Sequence, residues 1–246
     1  MNVPKLRFKE FSDEWKKSSL DKIGEFKNGV SKGKEFFGKG YPFVNLSDVF
    51  NKNYINKNVD LNLVDLSKKE LDDFKLLKND LLFVRSSVKL EGVGLTCLIE
   101  SDLKDTVYSG FLIRFRELNN TMILSPSFKK HYFYNPNFRK KLLRKSSKSA
   151  NVNINQDNLS LIDIFFPTFK EQEKIGNMLS LLDKKIELQS KKIEDLKLFK
   201  LCIMKEIFTS TNANTLIKVK DVTKIEKGKQ INGDQLLEQG NYYMLN

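Results

Sequence analysis

Histidine occurs once in the 246 residues and cysteine only twice. The lone His131 and the two isolated thiols, Cys97 and Cys202, supply neither a metal-ligand spacing nor a disulfide framework, so no metal site is expected. Long apolar runs are missing as well. No stretch approaches the ~18 to 20 residues that span a bilayer, and the opening Met1 to Phe11 is charged from the start, without the apolar centre of a signal peptide. The expected setting is a reducing cytoplasm, away from membranes.

Enzyme motifs are also absent. Gly29 to Lys34 holds a Gly-Lys pair, but its spacing is G-x-x-x-G-K and Glu35 stands where a phosphate-cradling loop needs a hydroxyl. Asn135-Pro136-Asn137-Phe138 is one residue from the Asn-Pro-Pro-aromatic tetrad of amino-methyltransferases. Its third residue is wrong, no glycine-rich cofactor loop accompanies it, and a helix cap explains it. His131 has no Ser or Cys nucleophile placed with it by a recognisable motif, and no HExxH or DxDxDG pattern gathers the carboxylates. No catalytic residue and no cofactor are expected, which leaves binding.

What the chain has in excess is positive charge, 43 Lys and Arg against 31 Asp and Glu. The total alone fits a solvated Lys-rich protein as well as one with a polyanionic partner. Its distribution is more telling. From Lys129 to Lys148 there are eight cations, Lys129, Lys130, Arg139, Lys140, Lys141, Arg144, Lys145 and Lys148, with no acidic residue among them. A solvated face normally mixes its signs, so this segment reads as a surface for phosphates.

Along the first 165 or so residues, the apolar runs Tyr41 to Leu46, Asp80 to Arg85, Leu95 to Ile99 and Tyr108 to Phe115 have the length and the Phe, Val and Ile content of strands. Gly29, Gly33, Gly38 and Gly40 crowd one connection, and Gly92 and Gly94 another. Ser125-Pro126 and Asn135-Pro136 each set a capping side chain before a proline fit for the first helical position, predicting two short helices that carry the basic segment. Phe138 and Leu142, four apart, would face inward and leave Arg139, Lys140 and Arg144 nearer solvent.

After Pro167 some forty residues pass without proline and with one glycine, Gly176. Apolar side chains step by three and four through Ile175, Leu179, Leu182, Ile186, Ile193, Leu196, Ile203 and Ile207, with Gln189 and Lys200 as the polar members of the register. That is a heptad seam calling for a partner helix. An amphipathic helix lying on its own domain is the alternative, but at ~1.5 Å per residue the rod is about 55 to 60 Å long, more than a small domain covers. The fold class that follows is α+β, a mixed α/β domain over 1–167 and a coiled-coil-forming helix over 168–210. Residues 211–246 read as the opening of a second copy of the first domain, since Lys227-Gly228, Gly240, Tyr242 and Asn246 parallel Asn28-Gly29, Gly40, Tyr41 and Asn45.

Three segments together resemble the specificity subunit of type I restriction-modification systems. The first is Val3-Pro4-Lys5-Leu6-Arg7-Phe8 leading to Glu14-Trp15, then Leu20-Asp21-Lys22-Ile23 and Asn28-Gly29. The second runs from Asp80 to Ser87, with Tyr108 to Phe115 downstream. The third is Phe166-Pro167, Glu171-Gln172-Glu173-Lys174-Ile175, Leu182-Asp183, Ile186 and Ile207-Phe208. The resemblance implies a non-catalytic reader of double-stranded DNA. In that family two recognition domains each read half of a split site, while two antiparallel helices fix the gap and dock methyltransferase subunits. A separate restriction and translocase subunit joins indirectly. With one recognition domain and one helix here, the expectation is an antiparallel homodimer through the helix. A coiled-coil scaffold with an incidental basic surface is the competing reading.

Base edges are read by Arg, Asn, Gln, Ser and Lys, and phosphates are held by cations. Two loops supply both, Arg85-Ser86-Ser87 with Lys89, and Lys145-Ser146-Ser147-Lys148 with Asn151 and Asn153. Arg114, alternating with Ile113 and Phe115, together with Lys129, Lys130, Arg139, Lys140 and Arg144, completes the candidate DNA surface.

Overall fold

The structure is a computed structural model that describes residues 4–50, 52–118, 122–148, 151–209, 217–224 and 226–228. The chain divides into two compact units, Met1–Gln189 and Ser190–Asn246. Strands of the first unit are β1 (Lys16–Ser19), β2 (Gly24–Asn28), β3 (Phe37–Val44), β4 (Tyr54–Ile55), β5 (Asn62–Val64), β6 (Leu81–Val84), β7 (Ser86–Ser87), β8 (Thr96–Ile99), β9 (Val107–Tyr108), β10 (Leu112–Glu117), β11 (Ser147–Lys148), β12 (Val152–Asn153) and β13 (Asp163–Phe166). Its helices are α1 (Leu46–Val49), α2 (Lys68–Phe74), α3 (Pro126–Tyr132), α4 (Pro136–Lys145), α5 (Gln156–Ser160) and the first half of α6 (Phe169–Thr209). The second half of α6 and the short α7 (Val219–Val222) are described in the second unit. A mixed α/β unit and a long helix are thus present as expected.

A five-stranded sheet in the order β2-β10-β6-β8-β4 is the centre of the first unit. Its inner strands are apolar on both faces because both faces are covered. The alternation along each strand sorts the side chains into two cores. Leu81, Phe83, Leu98, Ile113 and Phe115 join Leu124, Phe128, Phe133, Phe138 and Leu142 from the α3–α4 region. Leu82, Val84, Cys97, Ile99 and Leu112 face the other way, with Val44, Val49, Leu76 and Tyr108. Beside this, β3 pairs antiparallel with β5 and parallel with β9. The unit is closed by its first and last strands, β1 lying antiparallel to β13 from Lys16↔Phe166 to Ser19↔Asp163.

Both proline-led helices form as the caps require, with Ser125 Oγ accepting from Phe128 N and Asn135 Oδ1 from Phe138 N. Two strand expectations need adjustment. The run Tyr41 to Leu46 is strand only to Val44, because Asn45 leaves the sheet to cap α1. The run Tyr108 to Phe115 is broken into β9 and β10 by a turn through Ser109, Gly110 and Phe111, in which Leu112 N donates to Ser109 O at 2.9 Å.

The first compact unit also extends past the expected boundary at 167, because the opening turns of α6 belong to its interior. Glu171, Gln172 and Gly176 are buried. A Cβ on Gly176 would lie 2.4 Å from the Ser127 carbonyl carbon, so glycine is what allows α6 to cross the start of α3 so closely. Gln172 donates to Ile123 O and Pro167 O and accepts from Ser125 N. Arg7 forms a two-pronged pair with Glu171 at 2.6 and 2.7 Å. From Leu182 onward the seam is open: Leu182 and Ile186 are exposed, as is every residue from 190 to 209.

In the second unit α7 precedes Lys227-Gly228 much as a 3-10 turn at Leu20–Lys22 precedes Asn28-Gly29. The remainder of the expected repeat, Gly240, Tyr242 and Asn246, lies outside the described residues.

Candidate nucleic-acid interface

At the end of β6 the fully buried run Leu81–Val84 gives way to the exposed Arg85. Its backbone is fixed on both sides, Arg85 N donating to Phe111 O at 2.8 Å and Arg85 O accepting from Ile154 N at 3.0 Å. The chain then enters a small three-stranded sheet in the order β11-β12-β7, with Val152 opposite Ser87, Asn153 opposite Ser86, and Ser147 opposite Asn153. The two loops singled out in the sequence are therefore neighbouring strands of one patch. Lys145 and Ser146 lie at its border where α4 ends, and Asn158 Nδ2 holds that end through Lys145 O at 2.8 Å. Lys89 and Asn151 are exposed.

A cleft of about 440 Å³ opens beside this patch. Arg85, Ser86 and Asn153 line it, together with Lys32, Asn45, Ser109 and Phe111, which sequence reasoning did not select. Their signal was faint but present: a Ser-Gly pair inside an apolar run, and a glycine-rich connection on the opposite wall. Lys32 is tied to Glu70 at 2.6 Å and lies 4.9 Å from the Phe36 ring centre. Asn45 is occupied as the α1 cap. Arg85 Nη1 donates to Gly110 O at 3.3 Å.

The eight-cation segment does not form a single phosphate-facing surface. Lys129 is withdrawn from it: 2% exposed, its Nζ donates to Glu117 Oε1 at 2.8 Å and Asn79 O at 2.9 Å. Arg114 is withdrawn too, 3% exposed and paired with Glu25 at 2.9 Å on the second core's face of β10. The reason is the same for both, since a strand or helix buried on two sides places even a charged side chain inside, where it must be paired. Lys130 lies 3.5 Å from the Tyr54 ring centre and 3.4 Å from Glu100, largely covered.

Arg139 is a brace, its guanidinium donating to Val93 O and Glu91 O in the connection between β7 and β8, and burial lowers its pKa. Lys141 bonds Asp163 O and lies over Phe165. Lys140 and Arg144 are exposed, and Lys145 is half-buried. These three are what remains, among the side chains described, of the cationic segment for a phosphate backbone; the backbone of Lys148 lies in β11.

Among the described residues one Ser-His-Asp grouping exists. His131 Nε2 is 3.1 Å from Ser180 Oγ, and Nδ1 is 3.7 Å from Asp183 Oδ2. Ser180 sits in the middle of α6, where the neighbouring backbone N–H groups are engaged in the helix and cannot face a developing oxyanion. The grouping joins α3 to α6. Among the described residues no three His, Cys, Asp or Glu side chains are gathered as metal ligands, and no helix is long and apolar enough to cross a membrane.

The family model for the type I restriction modification DNA specificity domain matches residues 12–198. The chain is 27% identical over 164 residues to the type I restriction enzyme EcoKI specificity subunit of Escherichia coli K12, covering 65% of this chain and 34% of that protein. It is 23% identical over 248 residues to the "Putative type I restriction enzyme MjaX specificity subunit" of Methanocaldococcus jannaschii, covering 98% and 55%. Among solved structures, the S subunit of a type I restriction-modification system from M. genitalium has a TM-score of 0.56 at 19% identity, over 98% of this chain and 61% of that one. HsdS from Thermoanaerobacter tengcongensis has a TM-score of 0.51 at 17% identity, over 85% and 48%. The chain thus spans between 34% and 61% of the length of these proteins, and the structural likeness is one of fold.

Proposed function

This chain belongs to the type I restriction modification DNA specificity family, and from that premise we propose that it reads one half of a bipartite site in double-stranded DNA for a type I restriction-modification complex. The observation that carries the reading is the pairing of β12 with β7 on one side and β11 on the other, which sets Ser86 and Ser87 opposite Asn153 and Val152 and brings Arg85, Ser86 and Asn153 to the lining of one cleft. Guanidinium, amide and hydroxyl groups are the side chains that match base edges. Lys89, Lys140, Arg144, Lys145, Ser146, Lys148 and Asn151 supply the flanking contacts to phosphates and sugars, where position rather than sequence is set. Lys130 and Arg139 act behind them, holding the surface in place.

The chain pairs antiparallel with a second copy through α6, which sets two readers at a fixed separation. Support comes from the exposed seam of Leu182, Ile186, Ile193, Leu196, Ile203 and Ile207, a stripe that an isolated helix cannot bury. Near its end apolar side chains lie outside the seam too: Leu198, Phe199, Leu201, Met204 and Phe208 are exposed as well. One partner helix covers one stripe only, so the remaining faces take methyltransferase subunits, through which the restriction and translocase subunit joins. The chain itself contributes recognition and no chemistry.

Selection from random duplex DNA, with the chain alone and in complex with its methyltransferase subunits, tests the proposal. A defined half-site is expected, present twice in a site bound by the dimer. Helix-driven assembly without any sequence enrichment would instead favour a scaffold with an incidental basic surface.

A further inference from the structure

The turn between β9 and β10 carries Phe111, 59% exposed, on a backbone held by buried neighbours and by hydrogen bonds on both sides. Tyr108 and Leu112 on either side are fully buried, and Ser109 is 4% exposed. Gly110 N donates to Val30 O at 2.7 Å, Phe111 N to Ser109 Oγ at 3.3 Å, and Arg85 N to Phe111 O at 2.8 Å. Arg85 Nη1 also reaches Gly110 O. A large apolar ring on a mobile loop would be unremarkable surface; here a rigid base presents it beside Arg85, Ser86 and Asn153, on the same cleft. Phe37, 40% exposed and edge-on to Phe43 at 5.4 Å, continues the apolar wall.

We infer that Phe111 is a base-reading residue that recognises thymine through its 5-methyl group. The inference rests on the DNA-reading proposal above and adds one specificity contact to it. The polar side chains around Phe111 are those that read base edges from the major groove. Among the groups a base pair shows there, the thymine methyl is the apolar one that a Phe side chain matches. The ring thus gains a partner only where the half-site holds thymine at the position it faces. Its fixed backbone leaves little conformational entropy to lose on contact.

The test uses the full chain in complex with its methyltransferase subunits and the half-site obtained by selection, each thymine replaced singly by deoxyuridine, which removes only the methyl group. Wild type is expected to lose about fourfold in affinity at one position, the worth of burying one methyl group. Phe111→Ala is expected to bind the thymine duplex as weakly as the deoxyuridine duplex and to be indifferent to the exchange. Because the side chain is exposed, the variant should melt as wild type does.

Arg85→Ala provides the separate check on the surface, weakening both duplexes alike. The inference is overturned by a half-site without thymine, by a wild type indifferent to every replacement, or by a Phe111→Ala variant that still discriminates. Equal weakening of both duplexes by Phe111→Ala also overturns it, since that would mark a wedge or a protein contact. If Arg85→Ala has no effect either, the DNA-reading proposal falls with it.

Discussion

Lys129 Nζ lies 2.8 Å from Glu117 Oε1 inside the recognition unit, with side chains 2% and 6% exposed, so the first cation of the basic segment is a core residue. Glu117 ends β10 and Lys129 lies in α3; the pair, with Asn79 O as a third member, fastens helix to sheet. Its other carboxylate oxygen accepts from Ile123 N and Leu124 N.

Removing Lys129 should therefore affect folding rather than DNA. Lys129→Ala leaves a buried carboxylate without its counter-charge and is expected to lower stability by about 3 to 5 kcal/mol in urea unfolding. The salt dependence of DNA binding by the folded fraction should be unchanged.

Lys145→Ala should do the opposite. Stability should hold, while the slope of log affinity against log salt falls by ~0.9, one phosphate contact's worth of released counterion. An unchanged slope and affinity in the purified complex would mean that the phosphate-facing surface lies elsewhere.

For the helix, the expectation is a dimer in the micromolar range by light scattering. Ile186, exposed in the seam, is replaced by lysine in the informative variant. Ile186→Lys puts a charge where two apolar stripes meet and should give monomer with a native-like circular dichroism spectrum. Monomeric wild type would remove the pairing from the proposal.

Gln172 ties the start of α6 to the segment leading into α3 by two hydrogen bonds, donating to Ile123 O and accepting from the buried N–H of Ser125, and donates a third to Pro167 O. Gln172→Ala is expected to lower stability by about 2 kcal/mol, chiefly because that N–H loses its acceptor. Faster amide exchange at Ser125, Ser127 and Phe128 is the local signature to measure; unaltered protection would assign the clamp to other contacts.

His131 should make the crossing of α6 and α3 sensitive to mild acid. Burial lowers its pKa below the ordinary 6.5, Asp183 pulling the other way and Lys130 adding to the lowering. With the folded value below the unfolded one, the contribution is full above pH 6.5 and is lost as pH falls through that value towards the folded pKa. A declining unfolding midpoint between pH 7 and pH 5, flattened by His131→Gln, is the expected result. An imidazole titrating above 6.5 by NMR would reverse the sign.

Much of the scaffold was legible because its causes are local. Ser125 and Asn135 before prolines, the apolar run through Leu81 to Val84, and the spacing of Ile175, Leu179 and Leu182 act within one or two turns of chain. The halves of the candidate site were legible for the same reason, as residue types suited to base edges. Which cations remain free was not. Lys129 and Lys140 look alike in sequence, and only partners far along the chain, Glu117 and Asn79 for the first, distinguish them. Phe111 was hidden inside an apolar run whose Ser109-Gly110 pair breaks the strand.

By itself the sequence determined four of the strand-forming runs, the two proline-led helices, the apolar seam on the long helix and the motifs that carry family membership, since periodicity, caps and composition suffice for each. Tertiary structure alone decided that residues near 86 and near 153 share a sheet, that Arg114 and Lys129 turn inward, and that Arg85 and Phe111 border one cleft. Those outcomes depend on strand pairing and burial across the chain. The free energy of a charge or a ring is set by what surrounds it in space, which its neighbours in sequence do not specify.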